Sequence, residues 1–66
     1  MKRNARTVAV ALQRASLRWP DQRAGQLIFN ALDGKGLARY PDGSPRDIFY
    51  VDDDQLVDAL NEYAGY

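Results

Sequence analysis

Prolines and glycines divide this chain into separate helical stretches. Residues 33–46 contain three glycines and two prolines in fourteen positions. That density precludes a helix, because proline lacks an N–H group and glycine favours turns. Pro20 makes a second break, since its ring disfavours a helical conformation in the residue before it. The chain is therefore predicted to fold as helices joined by one tight break and one long irregular connection.

Apolar spacing predicts helices over residues 4–19, 21–32 and 53–64. The second helix is expected to start at Pro20 and Asp21, because proline suits a first turn and a carboxylate suits the positive end of the helix dipole. Asp33-Gly34 is expected to end it. Gly25 inside this helix indicates either a tolerated weak residue or a close approach of a neighbouring helix.

The third helix carries the clearest boundary signals. Asp52 is a favourable N-cap, and Gln55 stands three residues later, as in a capping box. Gly65 is placed to end the helix in a left-handed conformation. The fold class is therefore mainly α, a compact three-helix domain over residues 1–66. Its predicted core is Val8, Leu12, Trp19, Leu27, Ile28, Ala31, Leu56, Leu60 and Tyr63.

The connection before the third helix has two readings. Residues 41–43 are a turn signal, and the flanking segments 37–40 and 47–51 would pair across it as a short β-hairpin. Alternatively, the segment is extended and tucks Phe49 or Tyr50 under the helices. The sequence does not separate these arrangements.

Composition limits the chemistry. There is no cysteine and no histidine among the 66 residues. The chain therefore lacks a disulfide, a thiolate nucleophile and the commonest general base and metal ligand at neutral pH. No apolar run approaches the roughly 20 residues that cross a bilayer, and arginines interrupt the start, which argues against a signal peptide. These features favour a cytoplasmic protein without membrane attachment.

The charges are segregated along the chain. Residues 1–46 hold all nine cations and three of the nine acidic residues, and residues 47–66 hold the other six acidic residues and no cation. Such a chain presents two surfaces of opposite sign to its surroundings. The acidic segment of one copy would dock on the basic helix of another, giving a homo-oligomer, or the two would pair within one chain.

A second apolar seam points away from the core stripe of the first helix. Val10 and Leu17 lie seven residues apart among arginines, an arrangement typical of a docking face. The alternative is that the 33–51 connection covers this seam. Tyr40, Tyr63 and Tyr66 are of a type enriched at interfaces, although Tyr63 fits the core better. The candidate protein-binding residues are Val10, Leu17, Arg14, Arg18, Asp54, Asp58 and Glu62.

Nucleic-acid binding is an alternative function. The first helix offers cations that would neutralise phosphates, namely Lys2, Arg3, Arg6, Arg14 and Arg18. A helix-turn-helix arrangement would be possible for three helices. Against it, the second helix presents few base-reading side chains, and the pI near 6.1 is far from the usual basic signature.

The acidic residues of the third helix do not form a known site. Asp54 and Asp58 lie one turn apart, and with Asn61 and Glu62 they would hold a hard cation only weakly. Their spacing does not match the EF-hand loop, and no nucleophile–base pair or phosphate-binding loop is present. The sequence therefore predicts a protein that is not an enzyme and that has no catalytic residue, no metal and no cofactor.

Two segments carry a resemblance. WPDQRAGQLIFNAL at residues 19–32, followed by DIFYVDDDQL at residues 47–56, resembles a group of short uncharacterised proteins of bacteriophages and mobile elements. The stretch at residues 35–45 stands where an apparent insertion would be. This resemblance implies a small cytosolic accessory protein that docks on a host protein or complex, such as a defence system of the CRISPR type that it would inhibit. The resemblance supplies no site residues.

Overall fold

Three α-helices form the fold of the described residues, as the sequence predicts. A computed structural model describes residues 3–47 and 51–66 of the chain. Helix α1 spans Ala5–Arg18, α2 spans Ala24–Gly34 and α3 spans Asp53–Tyr63. None of the helices in these described segments is both long enough and apolar enough to cross a membrane. The prediction of a mainly α three-helix domain is confirmed.

Side chains cap the starts of α1 and α3, and the cap of α3 is the predicted residue Asp52. Asn4 accepts hydrogen bonds from the backbone N–H groups of Arg6 and Thr7 at 3.0 and 3.2 Å. Asp52 accepts from the N–H of Gln55 at 2.8 Å, and the Gln55 side chain accepts from the N–H of Asp52 at 3.4 Å. The predicted capping box of α3 is therefore confirmed, and it satisfies donors that helix starts leave unpaired.

Helix α2 begins later than predicted. The N–H of Gln22 bonds the Trp19 carbonyl at 3.2 Å, so Pro20 lies inside a turn, where its fixed φ is favourable. The helix then starts after Arg23 rather than at residue 21. At the other end, Gly36 with φ of 71° makes the left-handed stop. The helix ends at Gly34, within the predicted Asp33-Gly34 stop, but the left-handed residue is Gly36 and not Gly34, because the bond from Leu37 N–H to Leu32 O closes around Gly36.

The core is centred on small and medium side chains of all three helices. Leu27, Leu32 and Leu60 are the largest fully buried side chains among the described residues. Three predicted core residues, Leu27, Ala31 and Leu60, are buried, and the other six (Val8, Leu12, Trp19, Ile28, Leu56, Tyr63) are partly buried and pack against them. The buried residues absent from the prediction are Ala11, Ala15, Leu32, Ala38, Val51, Val57, Ala59 and Ala64.

The described part of the connection makes a narrow turn and not a hairpin of two strands. A single antiparallel bridge joins Arg39 and Pro45 in the described part of this segment. The N–H of Tyr40 bonds the carbonyl of Ser44 at 2.9 Å, and Gly43 takes a φ of 89°. The pairing therefore closes earlier in the chain than the predicted partner segment 47–51. The alternative placement of Phe49 or Tyr50 lies outside the described residues.

Gly25 does not mark a close approach of another helix. A Cβ added at Gly25 would meet nothing within 4 Å. Its position in the first turn of α2 explains why the residue is tolerated, because the backbone there is exposed and only begins the helix. The reading of Gly25 as a packing residue is therefore wrong. By contrast, Gly65 has a φ of 87° after α3, as predicted for a helix stop.

Candidate functional site

The outer face of α1, defined here as the side that carries Val10 and Leu17, is exposed. Val10 retains 44% of its accessible surface and Leu17 retains 76%. Seven residues make almost two helical turns, so the two side chains lie in line on the side of α1 away from buried Ala11 and Ala15. The described part of the 33–51 connection leaves both exposed, which favours the docking-face reading over the covered one.

Cations surround these two apolar side chains. Arg3 pairs with Asp58 across the gap to α3. Arg6, Arg14 and Arg18 form no ion pair within the described ranges, residues 3–47 and 51–66. Their charge therefore remains available to a partner, whereas that of Arg3 is already offset inside the chain.

Arg14 and Arg18 are held in place by neighbouring groups. The Arg14 guanidinium donates to Asn61 Oδ1 at 3.2 Å and lies 4.7 Å from the centre of the Tyr66 ring. The Arg18 guanidinium lies 4.4 Å from the centre of the Trp19 ring. Such contacts of a cation with a ring face are each worth about 0.5–1 kcal/mol at exposed sites. Both guanidinium groups are therefore partly ordered before any partner arrives.

A groove runs between α1 and α3 beside the outer face. It encloses about 310 Å³. Its walls are Arg6, Thr7, Val10, Arg14, Val57 and Asn61. The floor is apolar because Val57 is buried, and the rim is cationic. We call this the α1–α3 groove, and it extends the apolar surface of Val10 towards α3.

The acidic side chains of α3 serve contacts within the chain. Asp58 pairs with Arg3, and Glu62 pairs with Lys35, which follows α2. The hydrogen bond and the charge of Glu62 raise the pKa of the Lys35 ammonium above its ordinary value of 10.5. Asp54 is exposed in the first turn of α3. Of the three predicted acidic binding residues, Asp58 and Glu62 are thus already engaged by cations of this chain.

Helices α1 and α3 pack against each other. Three contacts join the two segments: Arg3 pairs with Asp58, Arg14 donates to Asn61, and Trp19 donates to the Tyr63 carbonyl at 2.9 Å. The basic and acidic segments are therefore neighbours within one molecule. The charge pattern left open whether these segments pair within one chain or between two chains. In this structure Arg3 and Asp58 pair within one chain.

The remaining predicted site residues fall in different places. Lys2 lies outside the described residues. Tyr63 is half-buried, its ring stacked on Trp19 with centroids 5.4 Å apart, so it serves the core. Tyr40 and Tyr66 are exposed. In the described segments no group of three or more carboxylates comes together as a metal site would require.

Sequence reasoning missed the α3 wall of the groove. Val57 and Asn61 are one turn apart, so the sequence does indicate that they share a side of α3. Nothing in the local pattern says that this side faces Arg14. Only the packing of α3 along α1 brings the two helices together as one groove.

Comparisons of the chain with protein-family models, with curated proteins and with solved structures gave no match.

Proposed function

We propose that this chain is a non-enzymatic protein-binding module that docks on a protein partner through the outer face of α1. The observation that carries the proposal is the alignment of exposed Val10 and Leu17 beside Arg6, Arg14 and Arg18, which form no ion pair within residues 3–47 and 51–66. Leaving a leucine in water forgoes the stabilisation that burial gives, about 25 cal/mol per Å² of apolar surface. Interfaces typically have an apolar centre and a polar rim, which is the arrangement on this face.

The biological setting follows from the resemblance to small phage and mobile-element proteins. In that setting the module acts in the cytoplasm, and its partner is a host protein or complex. In the most specific form of the proposal, the partner is a defence complex of the CRISPR type. The module would inhibit it by occupying one of its surfaces. The contacts of the outer face support docking, and the setting rests on the resemblance.

Site-specific photo-cross-linking tests the docking surface. A photoreactive amino acid replaces Leu17 on α1 in one variant and Asp33 near the end of α2 in the other, both exposed positions. Expressed in bacterial cells, the Leu17 variant is expected to give a discrete protein adduct that the Asp33 variant does not give. Equal adducts from both positions would indicate non-specific contact, and the proposal would fall.

Binding to DNA is the second candidate, supported by the three cations of α1 that have no carboxylate partner in the described segments. Three phosphate contacts predict that log K falls with log salt at a slope of about −2.7. Titration of a short duplex at two salt concentrations measures this slope. Strong binding that survives physiological salt would favour a nucleic-acid function over docking on a protein.

Self-association through opposite charges is the remaining alternative. It would rest on Asp53 and Asp54 at the start of α3, because Asp58 and Glu62 already pair with cations of the same chain. Light scattering on a sizing column at low and high salt tests it. A salt-sensitive oligomer would support this reading.

A further inference from the structure

Resting on the proposed function, we infer that the outer face of α1 receives an acidic amphipathic α-helix of the partner. Its apolar residues cover Val10 and Leu17, and its carboxylates lie against Arg6 and Arg14 along the rim of the α1–α3 groove. The partner is thereby specified as an acidic amphipathic helix lying along α1, whereas the proposed function specifies only that it is a protein.

Spacing along α1 selects a helix as the occupant. At 1.5 Å per residue, Val10 and Leu17 are separated by about 10.5 Å along the axis. A partner helix with apolar residues seven apart repeats this distance on one of its sides. The α1–α3 groove beside Val10 is a channel between two helices, which is the kind of surface that an amphipathic helix occupies.

Charge selects an acidic partner over a second copy of this chain. In a two-fold dimer through this face, Arg6, Arg14 and Arg18 of each copy would meet the same cations of the other. Like charges facing one another across an interface are unfavourable, whereas carboxylates flanking an apolar strip are complementary. The occupant is therefore a different polypeptide with glutamate or aspartate beside its apolar residues.

Arg14 is arranged to bind such a carboxylate by donating hydrogen bonds to it. A guanidinium has five N–H donors, and the hydrogen bond to Asn61 Oδ1 engages one of its two terminal nitrogens. The Tyr66 ring lies under the guanidinium and limits its motion. The remaining donors are therefore held in a restricted geometry at the edge of the apolar strip, which lowers the ordering cost of binding.

Designed peptides test this inference. The acidic peptide is an amphipathic helix with leucines at positions seven apart and glutamates three and four residues from them. Two comparison peptides replace every glutamate by lysine, or keep the composition and move the leucines to different sides of the helix. Fluorescence anisotropy at low salt is expected to show binding of the acidic peptide at least about tenfold tighter than of either comparison peptide.

Matched variants of the protein locate the binding. Leu17→Glu places a carboxylate on the apolar strip, and Tyr40→Glu adds the same charge at an exposed ring in the connection. Leu17→Glu is expected to weaken binding of the acidic peptide about tenfold or more, and Tyr40→Glu by less than about twofold. Far-ultraviolet circular dichroism of each variant verifies that its helices remain.

Each other outcome overturns the inference in a recognisable way. Equal binding of the acidic and lysine peptides removes the charge argument, and equal binding by both variants removes the location. A dimer of the protein alone that Leu17→Glu dissociates makes a second copy the occupant. If no peptide binds while photo-cross-linking at Leu17 still gives a protein adduct, the acidic-helix inference fails and the proposed function stands. If both are negative, both fail.

Discussion

Helices α1 and α3 carry opposite charges and use them differently. On α3, Asp52 caps the helix, Asp58 pairs with Arg3, and Glu62 pairs with Lys35. On α1, Arg6, Arg14 and Arg18 have no carboxylate partner in the described segments, and exposed Leu17 lies among them. The acidic helix is therefore largely occupied with the structure of its own chain, whereas the basic helix keeps both charge and apolar surface available.

The charge that a segment carries in the sequence therefore differs from the charge that the folded surface offers to a partner. The two halves of the chain have opposite sign, yet the fold lays α3 against α1, so part of each charge is offset by the other. A partner therefore meets the cations that are left over and not the whole basic segment. The proposal of docking through α1 rests on these remaining cations, and a docking role for the acidic face of α3 is correspondingly weaker.

The largest expected effect comes from replacing a leucine by alanine, once on α3 and once on α1. Leu60 of α3 is fully buried, and Leu17 of α1 is the most exposed large aliphatic side chain in the described segments. Leu60→Ala is expected to cost about 2–5 kcal/mol of unfolding free energy, enough to unfold a domain of this size. Leu17→Ala is expected to change it by less than about 0.5 kcal/mol. Urea denaturation followed by circular dichroism measures both; equal costs would place Leu17 in the core.

Next in size is the cap of α3, which tests whether an acidic residue there serves stability. Asp52→Ala removes the acceptor for the Gln55 N–H and is expected to cost about 1 kcal/mol. Asp52→Asn keeps a capping oxygen and is expected to lose much less. The midpoint of thermal unfolding distinguishes the two variants. If both were neutral, the acidic run at the start of α3 would need an explanation other than capping.

A smaller effect is expected for the ion pair that joins the two helices. Arg3 and Asp58 are both substantially exposed, so solvent and salt weaken their attraction. A double-mutant cycle with Arg3→Ala and Asp58→Ala is expected to give a coupling below about 1 kcal/mol that shrinks further in high salt. A larger coupling that persists in salt would show that charge fixes α3 against α1.

The smallest effect concerns Lys35 and Glu62, and it is best measured on the lysine itself. Titration by nuclear magnetic resonance is expected to show the pKa of Lys35 above 10.5, and Glu62→Gln should lower it. Because folding raises this pKa, the stabilisation is present below the unfolded-state value and is lost as pH rises through the folded-state value. An unchanged Lys35 pKa in Glu62→Gln would mean that the pair does not form in solution.

Sequence patterns predicted the helices better than their ends or their packing. Apolar spacing and the Asp52 cap located α1 and α3 within about a residue or two. Pro20 misled the prediction because proline suits both a helix start and a turn, and the Trp19–Gln22 bond decides for the turn. Buried Ala11 and Ala38 were missed because a methyl side chain gives a weak hydrophobic signal, and only close packing reveals its burial.

The candidate site was likewise predicted only in part from the sequence. Val10 and Leu17 were identified from the sequence because a seven-residue spacing keeps both on one side of a helix. The groove was not identified, since its far wall contains Val57 and Asn61 from a helix distant in the chain. Likewise, the ion pair that engages Asp58 with Arg3 forms only because the folded chain brings these two segments together. The local spacing of residues does not indicate which helices become neighbours.

The stack of Trp19 on Tyr63 gives this protein an internal optical probe. Trp19 is the only tryptophan among the 66 residues, and its indole N–H is bonded to the Tyr63 carbonyl. Its emission therefore reports whether the C-terminal ends of α1 and α3 remain together. A surface substitution that abolishes docking but preserves this emission can be assigned to recognition, and one that shifts the emission towards longer wavelength can be assigned to separation of the two helices.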